Sequence, residues 1–582
     1  MQGYVPGQDE AFTSSRKCFR ELEDWMASEE AAGLQHGELE EQLDVRGREL
    51  LRQLFQDRLD ATAAREERRH DVAGEDGVVR TRAEKGRERP LVTKFGQVTV
   101  SRIAYRSPGR PNVHPADAAL NLPEEKHSHG LRKMAAFESA RGSMEAAGAA
   151  ITRATGVGMG KRQLEGMIRR AAAHIDAFYL WREIVPAPGD HALVLTFDGK
   201  GIVMLPGALR PATAKAAAAA QNKLATRLSP GEKNGRKRMA ELACVYDAVP
   251  VPRAPEDIIS TPAQKRRKKK AQAAKPIGKG KPREPQAQGK WLTASVTDDI
   301  PAVIAAAFGE AERRDPGRKR EWVVLVDGNS TQIEAVTTEA AARGVTVPII
   351  IDFIHVLEYL WKAAWSFFDK GEPAAEEWVA DQARKILHGK ARQAAAGIRR
   401  RATTYSYSQA ERAGADECAR YLENKQDYLD YATALRKGWP IATGIIEGAC
   451  RHIVKDRMDI TGARWGLEGA EAVLKLRALI ATGDFEDYWR FHLLELIPPL
   501  QRPGTARRQT SGPRYGRALP ENPVLPHPRL TVGDPPGQRT EPRSRFGEHR
   551  RRGLQRHTTH EQHRTISTHA RHLRYRELLV PV

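Results

Sequence analysis

The chain has 582 residues, enough for roughly three or four domains and a substantial core. Its 94 Lys and Arg stand against 74 Asp and Glu, a formal net charge of +20, so an acidic polymer, nucleic acid above all, is the expected partner. The four cysteines, Cys18, Cys244, Cys418 and Cys450, lie far apart without a C-x-x-C pair, which argues against a disulfide framework and a structural zinc site.

The N-terminus, MQGYVPGQDEAFTSSRKCFRELEDW, has no apolar core and does not read as a signal peptide. Residues 16–70 read as helices. Leu39, Leu43, Leu50 and Leu54 form an apolar stripe that suits either a core-facing side or a dimerising helix pair. Residues 72–86 read as a charged loop, within an N-terminal helical region over 1–90. A second region, 91–185, opens on LVTKFGQVTVSRIAYRS, whose alternation about a Phe-Gly turn predicts a β-hairpin. From Leu131 to Tyr179 the pattern is helical, with Ser143 as an N-cap and the Gly-rich turn TGVGMG between two helices. The second of these opens on Lys161 and Arg162 and continues to Arg169. That is the shape of a helix-turn-helix presenting cations to DNA, although any αα-hairpin shares it.

Residues 186–355 alternate strands and helices, which predicts an α/β core with a mixed sheet. Ala192 to Phe197 reads as a buried strand ending at Asp198, and RMAELACVYDAVPV as another. Over 255–290 the sequence becomes basic and loses its apolar period. This reads as a solvated insertion whose Lys265, Arg266, Arg267 and Lys268 would hold phosphates without reading sequence. DDIPAVIAAAFGEAERRD reads as an amphipathic helix and EWVVLVDGNS as a strand ending in Asp327. A further helix follows, then VTVPIIIDFIHV, a strand ending in Asp352. The most apolar stretch is interrupted by Asp352, His355 and Glu358 and is a poor membrane span, so the chain reads as cytoplasmic. Residues 356–436 read as a helical insertion and 437–496 as C-terminal core helices. Residues 497–582, rich in Arg, Pro and His, read as a disordered basic tail.

Open α/β sheets carry reactive groups at the carboxyl ends of strands, where Asp198, Asp327 and Asp352 are expected. Single aspartates there also serve as caps and turn formers. Gathered carboxylates repel one another, and a hard divalent cation, Mg2+ or Mn2+, relieves the repulsion. Two such ions suit phosphodiester chemistry. A lone acid, Glu447, heads the stretch GWPIATGIIEGACRHIVKDRMDITGARW, followed by Arg451, His452, Lys455, Arg457 and Arg464. A spacing of four puts Glu447, Arg451 and Lys455 on one helical face, an anion for metals followed by cations for phosphates. An ordinary ion pair at that spacing is the plainer alternative. Cys450 and Val454 fall on an adjacent stripe that could pack inward.

LVLTFDGKG, WVVLVDGNSTQ, IIIDFIHVLEYLW and GWPIATGIIEGACRHIVKDRMDITGARWGLEGAEAVLKLRAL together resemble the ISKra-type insertion-sequence transposases of bacteria. The likeness covers residues 15 to 493; its closing motif is specific and its Asp-Gly strand ends are not. The resemblance implies a DDE transposase with a ribonuclease-H-like mixed sheet, a helical insertion and a mainly helical DNA-binding region before them. It implies metal-dependent cleavage at transposon ends and strand transfer, by a homo-oligomer working on the nucleoid. On that pattern Asp198 is the first acid, Asp327 the second and Glu447 the last, with Asp352 the alternate metal ligand in second place. A non-catalytic DNA-binding regulator and a structure-selective nuclease are the rival readings. Trp465 could stack on a base or sit in the core.

Overall fold

The computed structural model describes residues 11–219, 224, 235–260, 284–460 and 462–497. Lys265, Arg266, Arg267 and Lys268 and the tail from 498 lie outside these residues.

The first helices are Thr13–Met26, Glu29–Ala32 and His36–Ala64. Ser15 N–H donates to Asp57 at 2.8 Å, and Arg46 lies over the Trp25 ring at 4.2 Å, so the first and third helices pack together. Another side of the long helix covers a hairpin of β1 (Arg82–Thr93) and β2 (Gly96–Arg106), where Leu59 joins Leu91, Val98 and Val100 in a small core. Strand β1 starts inside the stretch read as a loop. Its first nine residues, RAEKGRERP, are mostly solvent-facing and have no apolar alternation to betray them. Helices His129–Arg141, Met144–Thr155, Lys161–Ala172 and Ile175–Trp181 follow. Ser143 caps the second of them, accepting from Ala146 N–H at 3.0 Å, and Gly156 ends it at φ 71°.

The central sheet has five strands in the order β5-β4-β3-β6-β7. Strands β3 (Ala192–Met204), β4 (Arg236–Ala248) and β5 (Ala287–Ser295) run antiparallel in succession. Strands β6 (Trp322–Val326) and β7 (Ile349–Ile351) join parallel, after crossovers through helices Ile300–Arg314 and Ser330–Ala342. Every residue of β6 is buried, as expected of a parallel strand covered on both faces.

Two expectations need correction. Asp198 is not at the end of β3 but in its middle, because pairing with β4 carries the strand on to Met204. The parallel ladder to β6, however, stops at Thr196–Leu325. Asp198 therefore stands just past the point where the central strand loses one neighbour. The basic insertion also ends earlier than expected, since β5 begins at Ala287. Its outer half, AQGK, carries no apolar signal, and burial starts at Trp291.

The block after β7 is helical as expected: Phe353–Ala364, Pro373–Leu387, Ala391–Thr404, Ala413–Asn424 and Tyr431–Lys437. The chain re-enters the core at Gly438. There φ is +76°, and a Cβ would meet the backbone nitrogen of Val251 at 2.4 Å, so this crossing requires glycine. Among the described residues no helix is long and apolar enough to cross a membrane.

Helix Phe485–Glu495 closes against Ile175–Trp181 through Tyr488, Phe491 and His492. His492 is 1% exposed, and its Nδ1 lies 3.1 Å from Nδ1 of His174. Burial first, then the nearby His174, Arg132 and His129, push its pKa down to about 3. An unfolded chain takes this proton near the ordinary value of about 6.5, and the folded protein does not. Stability from this group is therefore intact above that value. It is lost as pH falls toward 3, by about 1.4 kcal/mol per pH unit. Urea unfolding should show lower stability at pH 5 than at pH 7.5, and His492→Gln should flatten that difference.

Candidate active site

Asp198, Asp327 and Glu447 come from three elements that the fold brings into one electrostatic neighbourhood. Burial pushes the Asp198 carboxyl above its usual range, and the Asp327 and Glu447 carboxylates push it further. Opposing them, the Cys450 thiol donates to Asp198 and the Gly199 N–H donates at 2.7 Å. Asp327, half-buried, follows β6 directly, and its Oδ1 accepts from Asn329 N–H at 2.8 Å. Glu447 sits in helix Gly444–Ala449 on an exposed position, while Ile446, Ala449 and Cys450 face inward.

Asp352 has a different position. It is 1% exposed, and both its carboxylate oxygens are taken. One accepts from Ile354 N–H at 2.9 Å and so caps helix Phe353–Ala364; the other accepts from the Thr443 hydroxyl. Its backbone N–H donates to Val326 O at 2.8 Å, and the next N–H, of Phe353, donates to Ile441 O at 2.9 Å. Thr443 is the residue immediately before the Glu447 helix. Asp352 thus ties the end of β6, where Asp327 begins, to the start of the helix that carries Glu447.

The far end of that helical stretch is anchored as well. Trp465 N–H donates to Val203 O at 3.1 Å, and Leu205 N–H to Trp465 O at 2.8 Å, extending the edge of β3. Trp465 is a core residue, its ring covered by the Arg457 guanidinium at 4.8 Å and its Nε1 donating to Met458 O at 3.0 Å. Between the anchors the helix is not regular. Residues Cys450–Lys455 form a π-turn, whose i→i+5 bonds insert an extra residue per turn. The single-face argument for Glu447, Arg451 and Lys455 assumed an unbroken α-helix and does not hold through this turn. Arg477 meets the altered backbone, donating to Ile453 O at 2.7 Å and to His452 O.

Of the expected phosphate-gripping cations, Arg451, Lys455 and Arg464 are exposed, as are Lys161 and Arg162 at the start of their helix. Arg169 is held by Glu468 at 2.8 Å. Arg457 is buried, donates to Ser139 O at 3.3 Å, and has its pKa pushed down to about 10 by burial; it is packing, not a free contact.

Two neighbours of Asp198 escaped the sequence reading. Glu241 on β4 pairs in register with Gly199 and is 8% exposed; burial raises its pKa, Arg210 lowers it and Asp198 raises it again. Cys450 is the second. A buried acid inside the apolar run RMAELACV was the available signal for Glu241; Cys450 was expected to pack inward, but no spacing in the sequence pointed its thiol at Asp198. His355, with Nδ1 3.2 Å from Glu358, is pushed up to about 9 by that carboxylate, despite partial burial, with help from Asp352 and Asp327. At neutral pH it is an imidazolium beside Asp327.

The donor set is all hard oxygen, and the Asp327 and Glu447 carboxylates raise the proton affinity of Asp198, which suits a divalent cation in chemistry. In geometry the set is open: among the described residues, no group of three or more His, Cys, Asp or Glu side chains is close enough to hold a metal ion. Ligation by all three acids requires them to draw together. Compared with protein-family models and with curated proteins, the chain matches none.

The Asp352 clamp predicts that Asp352→Ala, which uncaps one helix and strands the Thr443 hydroxyl, costs about 3 kcal/mol in urea unfolding. Asp352→Asn, which keeps the shape and one acceptor, should cost about 1 kcal/mol.

Proposed function

We propose that this chain is a DDE transposase with a ribonuclease-H-like core, cutting DNA at transposon ends and transferring the freed strand into target DNA. The observation that carries the reading is that Asp327 and Glu447, from widely separated parts of the chain, both act electrostatically on the largely buried Asp198. The strand order supports it. Three antiparallel strands followed by two parallel ones give an acid on the first strand, Asp198, and one after the fourth, Asp327. The third acid, Glu447, follows a helical insertion, as the likeness to ISKra-type transposases implies.

Asp198, Asp327 and Glu447 would hold two divalent ions, Mg2+ or Mn2+, which supply charge neutralisation and polarisation at the phosphodiester. The chain's own work is positioning. Gly199 N–H and the Cys450 thiol orient the Asp198 carboxylate, and Asn329 N–H orients Asp327. Arg451, Lys455 and Arg464 grip the flanking backbone, while Lys161 and Arg162 meet DNA from the helical region. Phosphoryl transfer needs little else from protein groups than alignment and charge. Joining two ends calls for at least two copies, acting in the cytoplasm on the nucleoid.

Incubation with end-bearing DNA and Mg2+ should yield cut and joined products. Asp198→Asn, Asp327→Asn and Glu447→Gln should each lower cleavage about a thousandfold or more, with end binding changed less than about threefold. End binding without any cutting would instead mark a DNA-binding regulator, and cutting without joining a nuclease. Independently of activity, Mg2+ should raise the melting temperature of the wild type but not of Asp198→Asn. Lys161→Ala with Arg162→Ala should weaken DNA binding about fivefold and lower its salt dependence.

A further inference from the structure

Helix His36–Ala64 is 29 residues long, about 44 Å, and the described residues cover two of its sides. Arg46 and Asp57 face the first helix, and Gln56 and Leu59 face the hairpin, Gln56 bonding both ways with the Thr99 backbone. A third side is open. Glu40, Leu43, Gly47, Leu51, Leu54 and Arg58 fall within an arc of about 80° at the helical repeat. Leu43, Leu51 and Leu54 are 40%, 46% and 39% exposed. Gly47 sits mid-helix, where glycine costs about 1 kcal/mol relative to alanine, and none of the described residues lies within 4 Å of where its Cβ would be. Nothing among the described residues requires the missing side chain. Arg46, Arg48 and Arg52 find acids on their own chain. Glu40 and Arg58 are exposed and make no such pair among the described residues.

The spacing of this face is self-complementary. Glu40 and Arg58 lie equally far on either side of position 49, as do Gly47 and Leu51; Leu43 and Leu54 do so to within one residue. We propose that this face pairs with the same face of a second copy of the chain, the two helices antiparallel about a two-fold axis near position 49. A two-fold contact uses one patch twice, so Glu40 meets Arg58 of the second copy at both ends of the seam. Leu43, Leu51 and Leu54 interleave between them, and Gly47 lets the helices approach at the short end of the usual 8–10 Å range. The seam is smaller than the about 800 Å² per partner of a standard stable interface, so a reversible micromolar dimer is expected. This pairing does not depend on the catalytic reading above.

The test is sedimentation equilibrium of the full-length protein without DNA, over about 1–50 µM. The wild type should dimerise reversibly. Leu51→Glu with Leu54→Glu should weaken dimerisation at least about tenfold with unchanged circular dichroism. Glu40→Arg alone and Arg58→Glu alone should each weaken it about threefold or more, and the two together should restore it. A monomeric wild type across that range would overturn the pairing, as expected if another part of this chain covers the face. So would a dimer indifferent to Leu51→Glu with Leu54→Glu, or a double charge reversal no tighter than the single ones.

Discussion

The architecture of the acidic centre depends on one buried carboxylate that is not itself in the centre. Asp352 receives a helix N-terminus on one oxygen and the Thr443 hydroxyl on the other, and its backbone continues the ladder to Val326. Three separate pieces of chain are thereby fixed to one point: the strand end preceding Asp327, the start of the helical block, and the residue before the Glu447 helix. A buried acid must find hydrogen-bond partners or its desolvation destabilises the fold. Here the partners are the segments whose relative placement matters. Burial pushes the Asp352 carboxyl above its usual range while Thr443 and Ile354 pull it back, as expected of a group held by hydrogen bonds more than by opposite charge.

The centre itself is built from opposing tendencies. Asp198, Asp327, Glu447 and Glu241 concentrate negative charge at the edge of a largely buried region, with Lys200, Arg210 and the His355 imidazolium as the nearby compensation. The Glu447 helix is held at one end by Thr443 and at the other by Trp465, and between these anchors it contains a π-turn. Arg477 satisfies carbonyls displaced by that turn. Local irregularity is thus supported by a residue on another helix, the pattern expected where a side chain must be aimed and not merely packed.

Much of this was legible in the amino-acid sequence, for reasons that can be named. The runs LVLTF, WVVLV and III are apolar because the strands are covered on both faces, so their positions and the acids beside them stood out. Ser143 reads as a cap, and Cys450 and Val454 do face inward. The failures share a cause. The outer halves of β1 and β5 are strands by hydrogen bonding alone, with exposed side chains that carry no alternation. Asp198 looked terminal because the apolar run ends there, although pairing to β4 continues. The π-turn lies between two distant anchors, and the sequence reading, which assumed an unbroken helix, did not expect it. The buried state of Arg457 likewise depends on Trp465 closing over it.

The clasp between Phe353 N–H and Ile441 O has a further meaning for the helical block that it closes. An excursion whose exit and return are joined by one backbone hydrogen bond is, topologically, a single long loop on the sheet. The entropy of closing such a loop grows only slowly with its length. Material between those two residues can therefore be lengthened or trimmed while the strands keep their register, provided that the block's own contacts with the core are kept: the Tyr431 hydroxyl to Ile351 O, Lys425 to the Ser330 hydroxyl, and the close Gly438 crossing at Val251. The sheet and its acids form a fixed chassis, and the block is the part through which descendants of this chain can diversify.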